Sequence, residues 1–498
     1  MMNPLRRIKE RTGGALSRTG AWLDRRLRLE SLYAESIGHL IPRSSASWWY
    51  VLGSGTLVCF ILQIVTGICL SLVYVPSASE AYASLEYLNY QQTLGWFLRA
   101  VHYWGSNFMV ALITLHMIQV FLFGAYKYPR ELTWIIGCVL FLLTLGAAFT
   151  GQIMRFDQDA YWGLGIGVSI MGRVPVVGQE LMYAVLGGPI IGGETLTRFF
   201  ALHVFLIPGL LIGLIYVHLR LVLKLGINEY PVPGEKVDPA TYEAKYEALI
   251  EREGIRFFPD GIHKDLFFAA FVLLAILFCS VLFGPKMPNG APDPTLINTA
   301  PRPDFYFLSL FAVLALMPPA MEDVFILVIL PVLFGVLFLV PFLSNRGEKH
   351  PSRRPVAVIA VVLVMMTLVS FAYLGVQSPW SPHMDAWSGL PIPEERIRPL
   401  SPVALRGASV FQVKQCRNCH AIDGSGGRRG PELGDVATRL TRDQLIRQVL
   451  QGGGNMPAYG KHLDPAETTA LVAFLETLRP QASARPSEAG HTGHPPEP

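Results

Sequence analysis

The sequence is poor in charged residues. Asp, Glu, Lys and Arg make up 16% of its 498 residues, whereas soluble domains average about 25%. Apolar residues reach 51%, and the mean hydropathy is +0.38. This composition excludes a free-standing soluble enzyme, an intrinsically disordered chain and a collagen-like fibre. The net charge of +4 is too small for the basic footprint of a nucleic-acid-binding protein.

Cysteine is scarce as well. Six cysteines over this length exclude a disulfide framework. Four lie in apolar runs and are predicted to be core residues: Cys59, Cys69, Cys138 and Cys279. The other two, Cys416 and Cys419, lie in a polar segment and need a different explanation.

The first 47 residues lack the apolar stretch of a cleavable signal peptide. They contain nine Lys or Arg and four Asp or Glu. We expect a basic segment on the cytoplasmic side, which forms either an amphipathic helix on the membrane or a solvated tail.

Seven apolar runs are long enough to cross a bilayer. They lie near residues 48–75, 102–124, 132–150, 199–223, 265–284, 322–343 and 356–376. The sequence therefore predicts an all-α fold with a seven-span transmembrane helical bundle. The apolar stretch 305–318 is shorter, and we expect a helix at one membrane surface there.

The loops predict how the bundle is oriented. Lys and Arg concentrate in residues 1–47 and in the loops 125–131, 224–264 and 344–355, which all fall on one side of seven spans. By the positive-inside rule this side is the cytoplasm. The chain is therefore predicted to be a multi-pass protein of a bacterial cytoplasmic membrane, with everything after residue 376 on the outer, periplasmic side.

Four histidines lie inside predicted spans. His102 and His116 are 14 residues apart on the second span, and His203 and His218 are 15 apart on the fourth. Such spacings advance about 21–22 Å and return to within about 40–60° of the same helix face. Because both spans run in one direction, His102 should meet His203 (the outer pair) and His116 should meet His218 (the inner pair). Facing imidazoles at one depth are what a bis-histidine haem requires; the alternative is four buried histidines satisfied by hydrogen bonds.

Two glycine pairs repeat the histidine period. Gly53 and Gly67 are 14 residues apart on the first span, and Gly137 and Gly151 are 14 apart on the third. We expect them to leave room for a flat macrocycle at the two histidine depths, although glycine also serves helix packing in membranes.

Three passages carry a family resemblance: Gly-Trp-Phe-Leu-Arg-Ala-Val-His at 95–102, Pro-Arg-Glu-Leu-Thr-Trp at 129–134 and Thr-Leu-Thr-Arg-Phe-Phe-Ala-Leu-His at 195–203. With these passages the chain resembles cytochrome b of the bc-type quinol oxidoreductases. It is most similar to the split, chloroplast-type form, with both pieces in one chain; the 15-residue histidine spacing and the seven spans are of that type. The resemblance implies a four-span di-haem domain at 48–228 and a three-span part at 229–376.

The resemblance also implies roles for the polar residues of the spans. His102 and His203 would ligate a low-potential haem b, and His116 and His218 a high-potential haem b. Arg99 and Arg198 would pair with propionates of the outer haem, and Arg130 would lie near the inner haem and the quinone-reduction site. For each arginine the alternative is a contact with lipid phosphates.

The quinol-oxidation motif of this family is Pro-Glu-Trp-Tyr. The matching residues here are Pro303, Asp304, Phe305 and Tyr306. The resemblance implies that Asp304 accepts a proton from quinol and that Tyr306 and Gly163 belong to the same site. The alternative for Asp304 is a helix-capping role. The variant motif is compatible with a low-potential quinone such as menaquinone.

The chain departs from the family pattern at two places. Residues 154–158 read Met-Arg-Phe-Asp-Gln where the family often has Leu-Pro-Trp-Asp-Gln, so Arg155 replaces a proline near the outer site. Val51 matches the cysteine that holds an extra haem covalently in the chloroplast-type protein. We therefore expect no covalently attached third haem in the membrane part.

The C-terminal segment contains a haem-attachment motif. Cys416-Arg-Asn-Cys419-His420 is a C-x-x-C-H sequence, in which both thiols bind haem c and the histidine is the proximal ligand. The segment 403–480 resembles a class I cytochrome c domain, which implies Met456 as the distal ligand and the Pro431 carbonyl as the partner of the proximal histidine. A redox or zinc-binding cysteine pair is the alternative. Residues 377–402 are predicted to be a linker, and residues 481–498 a disordered tail.

The chain is thus predicted to hold two haem b groups and one haem c and to use quinol and quinone as substrates. We expect a subunit of a proton-translocating quinol:cytochrome c oxidoreductase that divides quinol electrons between two routes. Because the sequence has no second Cys/His cluster, a Rieske iron–sulfur protein must be a separate partner. A cytochrome c or terminal oxidase is the expected acceptor, and a homodimer is implied by the family. The alternatives are an electron conduit without bifurcation and a haem-based sensor or assembly factor.

Overall fold

The computed structural model describes most of the chain. The described residues are 22, 24–28, 38–188, 191–292, 302–377, 391–427, 430–452, 456, 459–460 and 462–480. Most of the predicted N-terminal segment 1–47, the central part of the linker 377–402 and the tail 481–498 lie outside them.

Seven described helices are long and apolar enough to span a membrane. They are Leu52–Ser71, Gly95–Leu122, Glu131–Ile153, Gly193–Leu225, His263–Phe283, Met321–Leu343 and Pro355–Gln377. The predicted number of spans and the all-α class are confirmed. The second span begins at Gly95, earlier than the predicted residue 102, because the amphipathic turn that contains Arg99 lies outside the purely apolar run. Arg99 and His102 therefore belong to one helix.

The second span is the central helix of the bundle. One third of its hydrophobic window is buried, against 6% for the seventh span, which leaves most of its surface for lipid. A shared cluster of apolar side chains joins the first five spans. It contains Cys59, Phe60, Val101, Met109, Leu112, Leu140, Leu211, Val272 and Ile276.

Shorter elements connect the spans. The helices are Ala81–Tyr90, Gln158–Gly172, Gly178–Leu186, Tyr242–Glu253 and Phe305–Leu316. The strand Leu40–Pro42 pairs with Gly254–Arg256, and Lys236–Val237 pairs with Gly347–Glu348, both antiparallel. The predicted short apolar helix is present as Phe305–Leu316, and it packs against the seventh span.

Two spans contain a π turn. These turns cover Leu202–Leu206 in the fourth span and Phe325–Ile329 in the sixth, and each ends two residues before a proline, Pro208 or Pro331. A proline removes one helical hydrogen bond and crowds the carbonyl of the preceding turn, and a wider turn relieves this. The first of these turns includes His203. Because a π turn absorbs one extra residue, the 15-residue spacing to His218 corresponds to about 14 residues of regular helix.

The C-terminal module is a small helical domain with its own core. Its helices are Glu394–Ile397, Pro402–Val413, Val436–Arg439, Arg442–Gln451 and Pro465–Leu475, with a short ribbon of Ala421–Ile422 and Ser425–Gly426. Pro402–Val413 and Pro465–Leu475 cross closely at Gly407, where an added Cβ would lie 1.9 Å from the Ala470 carbonyl oxygen. Phe411 and Phe474 pack edge to face beside this crossing, with ring centroids 5.5 Å apart.

Candidate haem and quinol sites

The outer pair has the separation of a bis-histidine metal site. The ring centroids of His102 and His203 are 6.3 Å apart. Two imidazoles bound linearly to one metal ion by bonds of about 2.0 Å would have centroids about 6.4 Å apart. The helices thus hold the two rings at a distance that fits an iron atom between them.

Threonine hydroxyls define the orientation of both outer imidazoles. Thr66 Oγ1 donates to a backbone carbonyl one turn earlier at 2.7 Å and lies 2.8 Å from His102 Nδ1. Thr150 Oγ1 donates to a carbonyl one turn earlier at 2.9 Å and lies 3.0 Å from His203 Nδ1. Because each hydroxyl has only one hydrogen, it must accept from Nδ1–H. Each Nε2 then keeps its lone pair for a metal ion.

The inner pair is held differently. His116 and His218 are close enough to interact electrostatically. In the described part of the chain, the Nδ1 atom of His116 is buried without a hydrogen-bond partner, and the His218 ring bonds to the backbone of Thr133 and not to a hydroxyl. The two pairs therefore differ in their polar surroundings.

Each of the four predicted glycines lies against one of the four imidazoles. An added Cβ would lie 3.3 Å from the Cε1 atom of His116 at Gly53, 3.3 Å from that of His102 at Gly67, 3.6 Å from that of His218 at Gly137 and 2.7 Å from that of His203 at Gly151. We expected these glycines to face a macrocycle. In the structure each of them lies against a histidine ring, and the contact with a macrocycle stays a prediction.

The three predicted arginines have different surroundings. Arg99 is buried, and its guanidinium donates to Asn89 Oδ1 at 2.6 Å and to the Lys286 carbonyl. Arg198 is exposed and donates to the carbonyl of Ala184. The hydrogen bonds of Arg198 and Arg99 thus share no partner among the described residues, and the role of Arg198 toward a propionate stays a prediction.

Arg130 belongs to a buried network at the other end of the bundle. It donates to Tyr242 Oη at 2.7 Å, and Tyr242 donates to Glu229 Oε2 at 2.8 Å. Lys349 Nζ lies 2.7 Å from Glu229 Oε1. Burial lowers the pKa of Lys349 to about 8, although Glu229 opposes this change. Burial raises the pKa of Glu229, but Lys349 and Arg130 outweigh it and bring that pKa below its ordinary value.

Asp304 is the residue before the helix Phe305–Leu316, and its carboxylate has two partners. Tyr306 Oη donates to Asp304 Oδ2 at 3.1 Å, and Lys286 Nζ lies 3.3 Å from Oδ1. Lys286 Nζ also lies 3.7 Å from Asp159 Oδ2. The capping alternative is disfavoured, because the Asp304 side chain makes no cap hydrogen bond. Lys286 thus bridges two buried carboxylates.

A cavity of about 280 Å³ lies beside this cluster. Gly163 and Pro303 line it, as the motif resemblance suggested, together with Gln152, Asp159 and Phe307. Gln152 Oε1 is buried and has no hydrogen-bond partner among the described residues. Asp304 itself does not line this cavity, so within the described residues the carboxylate of its wall is Asp159.

Sequence reasoning missed the residues that surround the predicted ones. Gln152, Asp159 and Lys286 lie in different segments and meet only through tertiary packing. The available signal was the charge of Asp159, which follows the third span within a largely apolar helix.

The C-terminal module presents its histidine as a haem ligand requires. His420 Nδ1–H donates to the Pro431 carbonyl at 2.8 Å, which leaves Nε2 free. Gly430 lies against the same ring, where a Cβ would be 2.4 Å from Cε1. Gln448 Nε2 donates to Met456 Sδ at 3.4 Å. The residues present therefore fit a haem c held by the thiols of the C-x-x-C-H motif.

Comparisons with known proteins identify the parts of the chain. The family model "Cytochrome b/b6/petB" matches residues 37–226, and "Cytochrome b(C-terminal)/b6/petD" matches residues 292–388. The model "Cytochrome C oxidase, cbb3-type, subunit III" matches residues 402–475. The matches divide the chain at the boundary between the membrane bundle and the C-terminal module.

Relatives cover the membrane part. Cytochrome b of Allochromatium vinosum is 32% identical over 369 residues, which is 72% of this chain and 88% of that protein. Cytochrome b6 of Heliobacterium mobile is 38% identical over 209 residues, which is 42% of this chain and 98% of that protein. A solved structure titled "Hyperthermophilic respiratory Complex III" matches with a TM-score of 0.59 and 26% identity, over 72% of this chain and 91% of that one. The chain therefore belongs to the cytochrome b/b6 family, with both parts of the split form in one chain and a cytochrome c domain fused at the C-terminal end.

Proposed function

We propose that this protein is the cytochrome b/c fusion subunit of a proton-translocating quinol:cytochrome c oxidoreductase. The two electrons of quinol would be divided between a Rieske iron–sulfur protein with haem c and the two haem b groups. The quinol would release two protons on the outer side. Haem supplies one-electron transfer, and the residues of this chain bind, orient and insulate it.

One observation carries this proposal: the third span separates the cavity from the outer pair by the width of a single helix. Thr150 and Gly151 contact the His203 ring, and the adjacent Gln152 lines the cavity. A quinol in this cavity would lie beside the outer histidine pair. That arrangement is what electron transfer from quinol into the membrane part requires.

The cavity wall offers acceptors for the quinol hydroxyls. The free Gln152 Oε1 can accept a hydrogen bond from one hydroxyl. Asp159 is 8% exposed, lines the cavity and can take a proton. Lys286 links Asp159 to Asp304, which Tyr306 holds in turn. We propose that the two carboxylates share the protons of the reaction.

The histidines and cysteines described above would hold the haem groups. His102 and His203 would hold the outer haem b, and His116 and His218 the inner one. Haem c would be held by Cys416, Cys419, His420 and Met456.

The assembly and orientation are proposals as well. The basic loops would face the cytoplasm, and the cytochrome c domain would lie on the outer side of a bacterial cytoplasmic membrane. There it would receive the electron of the Rieske protein and pass it to a soluble or membrane-bound acceptor. A homodimer within a larger complex is the proposed working form.

Oxidant-induced reduction of haem b tests bifurcation. Isolated membranes would be supplied with quinol, the inner quinone site blocked, and an oxidant pulse given. We expect haem b to become more reduced while haem c becomes oxidised. If both become oxidised together under a confirmed block, the protein is a linear electron conduit, and the proposed proton transfer to Asp159 and Asp304 has no role in bifurcation.

A further inference from the structure

Arg155 is a buried cation without a matching acceptor. Its side chain is 10% exposed, and its closest carboxylate oxygen, Asp157 Oδ2, is 3.6 Å from Nε. All three guanidinium nitrogens are buried and make no hydrogen bond in the described part of the chain. A buried guanidinium in this state carries a large desolvation cost. The Arg155 guanidinium therefore needs an anionic hydrogen-bond acceptor that comes from outside the described protein residues.

Asp157 supplies only an ion pair at 3.6 Å, because two backbone amides hold its carboxylate in place. Asp157 Oδ1 accepts from the backbone N–H of Ala160 at 2.8 Å and caps the following helix. Asp157 Oδ2 accepts from the backbone N–H of Asn289 at 3.3 Å. The carboxylate is positioned by these two amides and not by the guanidinium.

The neighbouring charges increase the need for an anion. Arg155 and Arg99 are close enough to repel each other. The two hydrogen bonds of the Arg99 guanidinium go to neutral oxygens, of Asn89 and Lys286. Two guanidiniums thus share one carboxylate that is committed elsewhere. An additional carboxylate between them would satisfy both.

Both arginines lie near the outer pair. Arg99 precedes His102 by three residues on the second span, so both lie on similar faces of that helix. Arg155 lies in the turn after the third span, which ends at Ile153, and Gly151 near that end lies against the His203 ring. Arg155 does not line the quinol cavity, although its charge also acts on Tyr103 and Tyr306. Its proximity to Arg99, one helical turn from His102, favours a group at the outer histidine level.

We propose that Arg155 binds a propionate carboxylate of the outer haem b, together with Arg99. The guanidinium fork matches the two oxygens of a carboxylate. This inference rests on the proposed haem assignment, and it gives a function to the residue that replaces the usual proline at this position.

Equilibrium redox titration of the purified protein tests the inference without any turnover. A positive charge beside the haem favours the reduced iron, so Arg155→Gln should lower the midpoint potential of the outer haem. We expect the equilibrium constant for its reduction to fall about tenfold, which is about 59 mV for a one-electron couple. The propionate bending band in the resonance Raman spectrum should shift as well. Arg155→Lys keeps the charge but loses the forked guanidinium. The equilibrium constant for reduction of the outer haem should therefore change less than threefold in this variant.

Arg173→Gln is the matched control. This arginine is 30% exposed and is paired with Glu322 and Asp323, so its substitution should leave the outer potential unchanged.

If Arg155→Gln changes neither the potential nor the Raman band of a haem-containing protein, the inference is overturned. If Arg155→Gln does not assemble, Arg155→Lys decides, since an unchanged Raman band there would overturn it. Absence of haem b from the unmodified protein would instead refute the proposed function.

Discussion

The outer and inner histidine pairs are built on the same two helices, but they differ in what surrounds the rings. Both outer Nδ1 atoms bind a threonine hydroxyl, and a cavity, two arginines and two carboxylates lie nearby. Neither inner ring bonds to a threonine hydroxyl among the described residues; His116 Nδ1 has no partner there, and His218 bonds to the backbone of Thr133. The charged network of Arg130, Glu229 and Lys349 lies at the other end of the bundle.

The helices and the polar residues around the rings therefore have different roles. The repeated spacing of histidine and glycine provides two equivalent places for a flat group. The polar residues around each place then make the two chemically unequal. Two haems with unequal potentials need such a division, because identical sites would give no driving force from one side to the other.

The largest expected effect comes from adding one methyl group beside a histidine ring, at the outer level or, as a control, at the inner level. Gly151→Ala places a Cβ 2.7 Å from Cε1 of His203, whose ring Thr150 also holds, so the ring cannot bind iron without moving. We expect loss of the outer haem and a fall in the ratio of haem b to haem c from about two to about one, measured by haemochrome spectra. Gly137→Ala is the inner control, since its Cβ would make ordinary contact with His218 at 3.6 Å. Equal haem loss in both variants would show that the two levels are packed alike.

A second prediction concerns Asp159 and Asp304, the two carboxylates near the outer pair. Asp159→Asn should lower the rate of quinol oxidation about 100-fold, because a general base in the cavity wall is lost. Asp304→Asn should have a smaller effect, about tenfold, because it acts through Lys286. The assay is quinol-dependent reduction of cytochrome c by membranes.

The control for this pair is Asp323→Asn. Asp323 is 66% exposed and lies outside the cluster, so its rate should stay unchanged. A greater loss from Asp304→Asn than from Asp159→Asn would return the main proton-accepting role to Asp304.

The smallest expected effect probes the threonine hydroxyls. A hydrogen bond from Nδ1–H makes the imidazole a stronger donor to iron and favours the oxidised state. Thr66→Val or Thr150→Val removes one such bond, worth about 1 kcal/mol, so the outer haem should become roughly fivefold easier to reduce. Redox titration should show no change in the inner haem. Thr144→Val is the control, because its hydroxyl donates to a backbone carbonyl of the same span. A shift of both haems would contradict a local role.

Local patterns explain what could be predicted from the sequence. Apolar runs require only neighbours along the chain, so the seven spans were predicted, and helical periodicity brought His102 to the level of His203. The start of the second span was wrong by seven residues, because Arg99 interrupts the hydropathy but not the helix. The motif resemblance placed Gly163 and Pro303 in one cavity wall.

Residues that meet only through packing could not be predicted in this way. Lys286 lies more than a hundred residues from Asp159, and neither has a spacing that marks it. Thr66 and Thr150 are ordinary small residues in apolar helices, and their role depends on a ring from another span. The glycines lie against the imidazoles, and their contact with a macrocycle stays a prediction, because either group would require the same missing side chain.

The π turn at Leu202–Leu206 has a consequence for comparing chain lengths across this family. It allows the fourth span to carry one more residue between its histidines than the second span does, without rotating the second imidazole away from its partner. A natural variant with one residue fewer here should form a regular α-helix and keep both ligands in place. Deletion of one residue at this turn is therefore a tolerated change, whereas a one-residue deletion between His102 and His116 would turn one imidazole by about 100°.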